Sequence, residues 1–245
     1  MMKKLICLLI IALSVLLFAC SGSSNGGGGT PIPTNGLIAY YAFNGNANDE
    51  SGNSNDGTLM SGATITADKN GSANKAVDVN SGYVEIADST SLDLQSFTLS
   101  VWFNMKAVPS AFNCLIGKDY TTAYAIGIES GGSGTCPAPS GTARGMIVYV
   151  GDNSKYFNLS DFACDTWYHA AVTYDNATGN VQLYVNGLLV DTGSIAAGSI
   201  ASNSYPLGIG EDGRYHDNFS GIIDEVYAYN RVLSADEIHT LYTSY

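Results

Sequence analysis

An all-β, antiparallel sandwich with one short C-terminal helix is the fold class this sequence predicts, and three observations carry it. Short apolar runs recur from Leu37 to Tyr229, separated by turns rich in Gly, Asn and Ser. Helical periodicity is almost absent before Ser234. Asn186-Gly187 stands between two apolar runs, and both positions tolerate positive φ, which makes it the strongest hairpin signal in the chain.

Residues 1–19 read as a leader and are set aside before the fold is considered. Lys3 and Lys4 form a short basic region, and Leu5 to Phe18 is almost wholly apolar. That run is at the short end for a spanning helix, which needs roughly 20 residues. Leu17-Phe18-Ala19-Cys20 resembles a bacterial lipobox. The resemblance implies cleavage before Cys20, lipidation (palmitate) of Cys20, and contact with the membrane only through that lipid. Ser21 in the next position resembles outer-surface sorting, so the expected location is the bacterial cell envelope, at the outer membrane or cell surface. Residues 20–35 read as the lipidated cysteine and a Ser/Gly/Pro tether, too poor in apolar side chains to offset the entropy of ordering. Residues 36–245 then form one domain of ordinary length for an all-β fold.

The formal net charge is −12, and loss of Lys3 and Lys4 makes the mature chain more acidic still. Nucleic acid and anionic lipid both require clustered Lys or Arg, so neither is expected as a partner. Beyond Cys7 and Cys20, three cysteines remain: Cys114, Cys136 and Cys164. An exported chain permits disulfides, and three cysteines allow one bridge and one free thiol. Cys136 with Cys164 is the pairing expected, because both sit in turn-rich segments that should fall at one end of the sandwich.

Leu37 to Phe43 opens the domain. Ala76 to Val79 and Tyr83 to Ile86 flank Ser81-Gly82 as a hairpin-like pair. Phe97, Leu99, Val101 and Phe103 line one face of the next strand. Cys114 to Gly117, Tyr124 to Ile128 and Met146 to Val150 follow. Trp167 to Tyr174 and Val181 to Val185 are joined by the polar segment Asp175 to Asn180, and Leu188 to Val190 returns after the Asn186-Gly187 turn. Leu207 to Gly210 and Ile222 to Tyr229 complete the set. In the last strand, period-two alternation places Ile222, Asp224, Val226 and Ala228 on one face. An aspartate on an apolar face has to be paired, hydrogen-bonded or metal-bound. Ser234-Ala235-Asp236-Glu237 is a capping box, and Ile238, Leu241 and Tyr242 supply the apolar stripe of the one helix.

Trp167 to Asp175 followed by Val181 to Gly187 resembles the central hairpins of laminin-G-like jelly-roll domains, which are concanavalin A-like sandwiches. Phe43 to Asn53 resembles that family's opening loop, and Gly221 to Ile238 its closing strand and helix. The resemblance is distributed over residues 37 to 242. It implies a jelly-roll β-sandwich and a structural calcium ion tying the opening loop to the last strand. Asp49 and Asp224 are the implied side-chain ligands and Asn44 a third, with backbone carbonyls completing the shell. The loop chemistry suits Ca2+, which takes six to eight oxygen ligands in flexible geometry. An ordinary solvated turn has the same composition.

Other motifs carry less. Gly208-Ile209-Gly210-Glu211-Asp212-Gly213 matches G-x-G-x-x-G, but its acids would repel a pyrophosphate and no helix follows. It reads as a tight turn, and no nucleotide partner is expected. His169 reads as a structural histidine. Glycoside hydrolysis needs two suitably spaced carboxyls; no such strand is present, and Asp224 and Glu225 should point to opposite faces. Tyr120, Tyr124, Tyr205 and Tyr215, with His216, lie in or beside loops and could line a rim for sugars, since tyrosine offers a flat face and a hydroxyl. The function expected is therefore non-catalytic, calcium-assisted binding of a carbohydrate or surface glycoprotein. An envelope protein–protein interaction or adhesion module is the alternative, and a glycoside hydrolase the third reading.

Overall fold

The computed structural model describes residues 31–108, 111–130, 144–159, 162–197 and 200–245. The leader, Cys20 and Cys136 lie outside the described residues. The described residues form fifteen strands, a short 3-10 turn at Thr90–Leu92 and one α-helix: β1 Leu37–Tyr41, β2 Gly57–Met60, β3 Thr64–Thr66, β4 Ala76–Asp78, β5 Tyr83–Ile86, β6 Phe97–Met105, β7 Asn113–Gly117, β8 Tyr124–Ser130, β9 Arg144–Val150, β10 Asn153–Leu159, β11 Trp167–Tyr174, β12 Asn180–Val185, β13 Leu188–Ser194, β14 Leu207–Ile209, β15 Gly221–Tyr229 and α1 Ala235–Thr243. They form two antiparallel sheets stacked as a sandwich. The first runs β13-β12-β11-β6-β15-β4-β3, with β1 also paired to β15; the second runs β10-β9-β8-β7-β14-β5-β2.

Alternation along the strands builds three apolar layers. Phe97, Leu99, Val101 and Phe103 of β6 face inward with Val172 and Tyr174 of β11. They meet Tyr124, Ile126 and Ile128 of β8 and Met146 and Val148 of β9 from the second sheet. The outer face of the first sheet is covered by α1, whose Ile238 and Leu241 pack with Tyr184, Tyr227 and Tyr229. Ser234 caps that helix reciprocally with Glu237, as the capping box requires. The outer face of the second sheet carries a smaller cluster of Phe112, Cys114, Ala125 and Ile147, flanked by Tyr120 and Tyr149.

Three sequence expectations change here. Ser81-Gly82 does not close a hairpin, because β4 pairs with β3 and β15 in the first sheet whereas β5 pairs with β2 and β14 in the second. The turn is a crossing between sheets. β2, β3 and β10 have no counterpart among the strands read from sequence. Each is a short or polar edge segment; β10 buries only Phe157 fully.

The third correction is the face of Asp224. Between Asp224 and Tyr227, β15 carries one residue more than its partner β6, where Asp224 opposes Trp102 and Tyr227 opposes Ser100. Glu225 takes up the bulge with φ of +46°. An extra residue reverses the alternation beyond it. Val226 and Ala228 join the interior with Ile223, while Tyr227 and Tyr229 face outward. Asp224 therefore does not share a face with Val226 and Ala228. It lies beneath the C-terminal segment, accepting hydrogen bonds from the Tyr245 hydroxyl and the Glu225 amide. The same bulge brings Glu225 to the outer side, where it accepts from Tyr40 (2.9 Å) and Tyr227 (2.5 Å). The two carboxyls do not point to opposite faces.

Candidate functional site

The second sheet's outer face is where the chain concentrates aromatic surface that is not sealed inside. Phe112 stands just before β7, Tyr149 is on β9, and Tyr120 follows β7. Phe112 lies 5.0 Å from Tyr149 and Tyr120 5.0 Å from Tyr149, ring centre to ring centre. Tyr215 continues the row 4.6 Å from Tyr120. The Arg214 guanidinium then sits 4.8 Å from the centres of both Tyr215 and Tyr205. The result is a strip of four rings ending in a cation stacked between two tyrosines.

Glycine makes room for rings to lie close to the sheet. A Cβ on Gly127 would come within 2.5 Å of the Phe112 ring and 2.3 Å of the Asn113 carbonyl. One on Gly145 would come within 2.4 Å of the Tyr156 ring.

Two buried aspartates hold the strip. Asp212 is 0 % exposed. Its Oδ1 accepts the amides of Arg214 (2.9 Å) and Tyr215 (3.0 Å), and its Oδ2 accepts the amide of Tyr120 (3.0 Å). One carboxylate thus fixes the backbone of two loops and the two tyrosines they carry. Burial raises its pKa, while these amides pull it back. Asp119, also fully buried, accepts from Thr121 Oγ1 (2.7 Å), Thr122 Oγ1 (2.5 Å) and Arg214 Nη1 (3.1 Å). Burial would raise its pKa as well, but the Thr122 and Thr121 bonds, joined by Arg214, outweigh it and hold the group below its ordinary value. On the other side of the loop, Glu211 pairs with His216 Nδ1 at 2.8 Å. That pair borders a cleft of about 340 Å3 with Tyr83, Ser61 and Asn218.

Of the five rim residues read from sequence, Tyr120, Tyr205 and Tyr215 are brought together. His216 lies on the same loop but turns toward the neighbouring cleft. Tyr124 is not a rim residue: it is fully buried between the sheets, and its hydroxyl donates to the Leu92 carbonyl (2.9 Å). It occupies an inward position of β8, where alternation dictates the core. Phe112, Tyr149, Arg214, Asp119 and Asp212 were missed. Only Asp212 had a local signal, as the acid inside Gly208 to Gly213.

The side chains read as calcium ligands have separate partners. Asp49 uses both oxygens on the opening loop and strand, accepting from the amides of Tyr40 (3.0 Å), Ser51 (2.9 Å) and Asn55 (3.1 Å) and from Ser51 Oγ (2.9 Å). Asn44 Oδ1 accepts Lys75 Nζ at 2.5 Å, so an ammonium group stands against it. Burial pushes the Asp224 carboxyl up to about 8, with the Tyr245 hydroxyl pulling it back. Among the described residues no cluster of three or more His, Cys, Asp or Glu is placed to hold a metal. This donor set does not fit a calcium cage.

His169 is buried on β11, with its Nδ1 left without a hydrogen-bond partner among the described residues. Its Nε2 lies 2.8 Å from Ser100 Oγ, but both side chains are enclosed, and burial lowers the imidazole pKa to about 3. Cys114 is a free, buried thiol. Cys136, the expected partner of Cys164, lies outside the described residues.

Two antiparallel sheets stacked in this order, with a helix across the outer face of the first, define a jelly-roll β-sandwich. The chain belongs to the laminin G family of the concanavalin A-like lectin/glucanases superfamily, whose model matches residues 78–239. It is 24% identical over 155 residues to the adhesion G-protein coupled receptor V1 of Danio rerio, a match covering 61% of this chain and 2% of that protein. Among solved structures it resembles domain 4 of AbnA, a GH43 extracellular arabinanase from Geobacillus stearothermophilus, in complex with arabinotriose. That likeness has a TM-score of 0.64 and 20% identity, covering 84% of this chain and 97% of that one. It also resembles a chain of botulinum neurotoxin type C, a toxin whose cell entry depends on interaction with two ganglioside molecules. There the TM-score is 0.63 and identity 17%, over 86% of this chain and 51% of that one.

Proposed function

We propose that this protein is a non-catalytic carbohydrate- or glycoprotein-binding module, lipid-anchored through Cys20 to the bacterial envelope, and that the strip Phe112–Tyr149–Tyr120–Tyr215 is its sugar platform. The observation that carries the reading is the strip itself. Asp212 fixes the backbone of Tyr120 and Tyr215, Tyr120 and Tyr149 are partly exposed and Tyr215 is 40 % exposed, while Phe112 is buried and backs them. Aromatic rings suit the apolar faces of sugars, and the tyrosine hydroxyls and Arg214 supply polar contacts. The complex of a similar fold with arabinotriose, a neutral oligosaccharide, supports the class of ligand. No step of this binding uses a metal.

The test is binding of the full chain to a broad glycan array, with calcium and with chelator. Binding to a coherent set of glycans is expected under both conditions. Tyr215→Ala should weaken it at least about tenfold, since an aromatic hot spot at an interface is typically worth about 2 kcal/mol or more, with the melting temperature nearly unchanged because the ring is half exposed. A blank array from folded protein would move the function to protein interaction. That second reading has its own observation: the edge strand β13 exposes Leu188 (66 %), Leu189 (48 %) and Val190 (45 %) in a row, an open strand edge of the kind other chains pair with. For the anchor, Cys20→Ala should release the protein from membranes; continued acyl labelling of the variant would refute lipidation at Cys20.

A further inference from the structure

We infer that the strip selects uncharged glycans and discriminates against sialylated or sulfated ones; this rests on the sugar-platform reading above. Recognition of an anionic sugar needs a free cation or a set of unengaged donors at the site. Among the described residues the cation bordering the strip is Arg214, whose charge is already paired with a buried carboxylate through Nη1. Its Nη1 donates to Asp119 Oδ2 (3.1 Å) and Thr121 Oγ1 (3.1 Å), and its plane is held over Tyr205 and Tyr215. Lys118, close in sequence, is wholly buried and paired with Asp88 (2.8 Å) and Asp93 (2.5 Å), so it does not reach the surface.

The donors are committed too. The loop amides of Tyr120, Arg214 and Tyr215, which could otherwise cradle an anion, all point at the Asp212 carboxylate. What the loop adds is negative: Glu211, Asp212 and Asp217 stand within seven residues of chain. Their field reaches the rings, since after burial the charge of Asp217 contributes to raising the pKa of Tyr120, and those of Glu129 and Asp217 that of Tyr149. A carboxylate or sulfate laid on this strip meets like charge and, among the described residues, a guanidinium already paired with Asp119, whereas a neutral sugar meets ring faces and hydroxyls. Like charges brought together suppress the wrong partner.

The experiment compares matched pairs on one array: neutral galactosides and arabino-oligosaccharides beside sialylated and sulfated versions of the galactosides, read with the full chain at low and physiological salt. The neutral member of each pair is expected to bind at least about tenfold more tightly, with the ratio widening at low salt because screening falls. Asp217→Asn should narrow the ratio without loss of neutral binding. Equal or tighter binding of the sialylated members, still lost in Tyr215→Ala, would overturn the charge selection and leave the platform standing. Absence of binding to either member, at both salts, would overturn the platform and the selection with it.

Discussion

Asp212→Ala is expected to abolish glycan binding and to destabilise the domain by about 2–4 kcal/mol. The carboxylate is the shared acceptor for three backbone amides on two loops. A donor left without a partner costs roughly 1–3 kcal/mol when buried and less where water reaches it. Removing a buried charge returns part of that, so the sum falls below three full penalties. The loss of binding is the larger effect, because the amides belong to Tyr120, Arg214 and Tyr215, the residues that make the strip. Asp212→Asn separates the two consequences. Its single carbonyl can keep the amides of Arg214 and Tyr215, while its NH2 group would face the amide of Tyr120. It should lose about half as much stability, with binding weakened rather than lost. Urea melts and array binding of both variants check this. An alanine variant within about 0.5 kcal/mol of wild type would show that Asp212 does not hold the loops.

Asp224→Asn is expected to be increasingly more stable than wild type as pH rises from about 5 to 9. In the folded chain the carboxyl's pKa is about 8, whereas the unfolded value is near the usual 3.8. Below the unfolded value both states carry the proton, and the stabilisation is fully present. Between the two values the folded state keeps a proton that the unfolded state releases, so stability falls as pH rises and is lost through the folded pKa. Asparagine mimics the protonated acid at every pH: its carbonyl can accept from Glu225 and its NH2 can donate to the Tyr245 hydroxyl. The difference between the two proteins should reach roughly 2–4 kcal/mol by pH 9, below the full linkage value because burial of the charge is partly relieved by rearrangement. Distant titrating groups such as His169 cancel in that difference, whereas Glu225, whose charge helps to raise Asp224, is coupled to it and adds to the dependence. A calcium ion on Asp224 would reverse the sign: the carboxylate would be stabilised, the variant would be the weaker protein at neutral pH, and chelator would erase the gap. Parallel stability curves for the two proteins would remove Asp224 from both accounts.

The sandwich was legible in the sequence because alternation, turn chemistry and the capping box all report locally. Asn186-Gly187 closes the β12–β13 hairpin, with φ of +49° and +75° at its two positions, and Ser234 caps α1 as read. What period two could not reveal was the bulge at Glu225. One residue with positive φ moved Val226 and Ala228 inward and left Asp224 on the other face, against Tyr245. The site was half legible. Tyr120, Tyr205 and Tyr215 stood out as loop tyrosines, but strand position decides exposure, and the same logic that flagged Tyr124 ignored that it opens β8 facing inward. Phe112, Tyr149 and Arg214 join the strip only because β7, β9 and the 211–218 loop meet in space, and no spacing in one dimension encodes that meeting. Asp119 and Asp212 look like ordinary turn acids until their burial and their acceptor roles are seen.

The most direct test of the platform is an NMR titration of the isotope-labelled chain with a neutral oligosaccharide selected from the array. The account predicts that perturbed signals cluster on Phe112, Tyr120, Tyr149, Arg214 and Tyr215. Perturbation of Thr173, Gln182 and Thr192, which line a polar cleft of about 570 Å3 on the other sheet, with the strip unmoved, would contradict it.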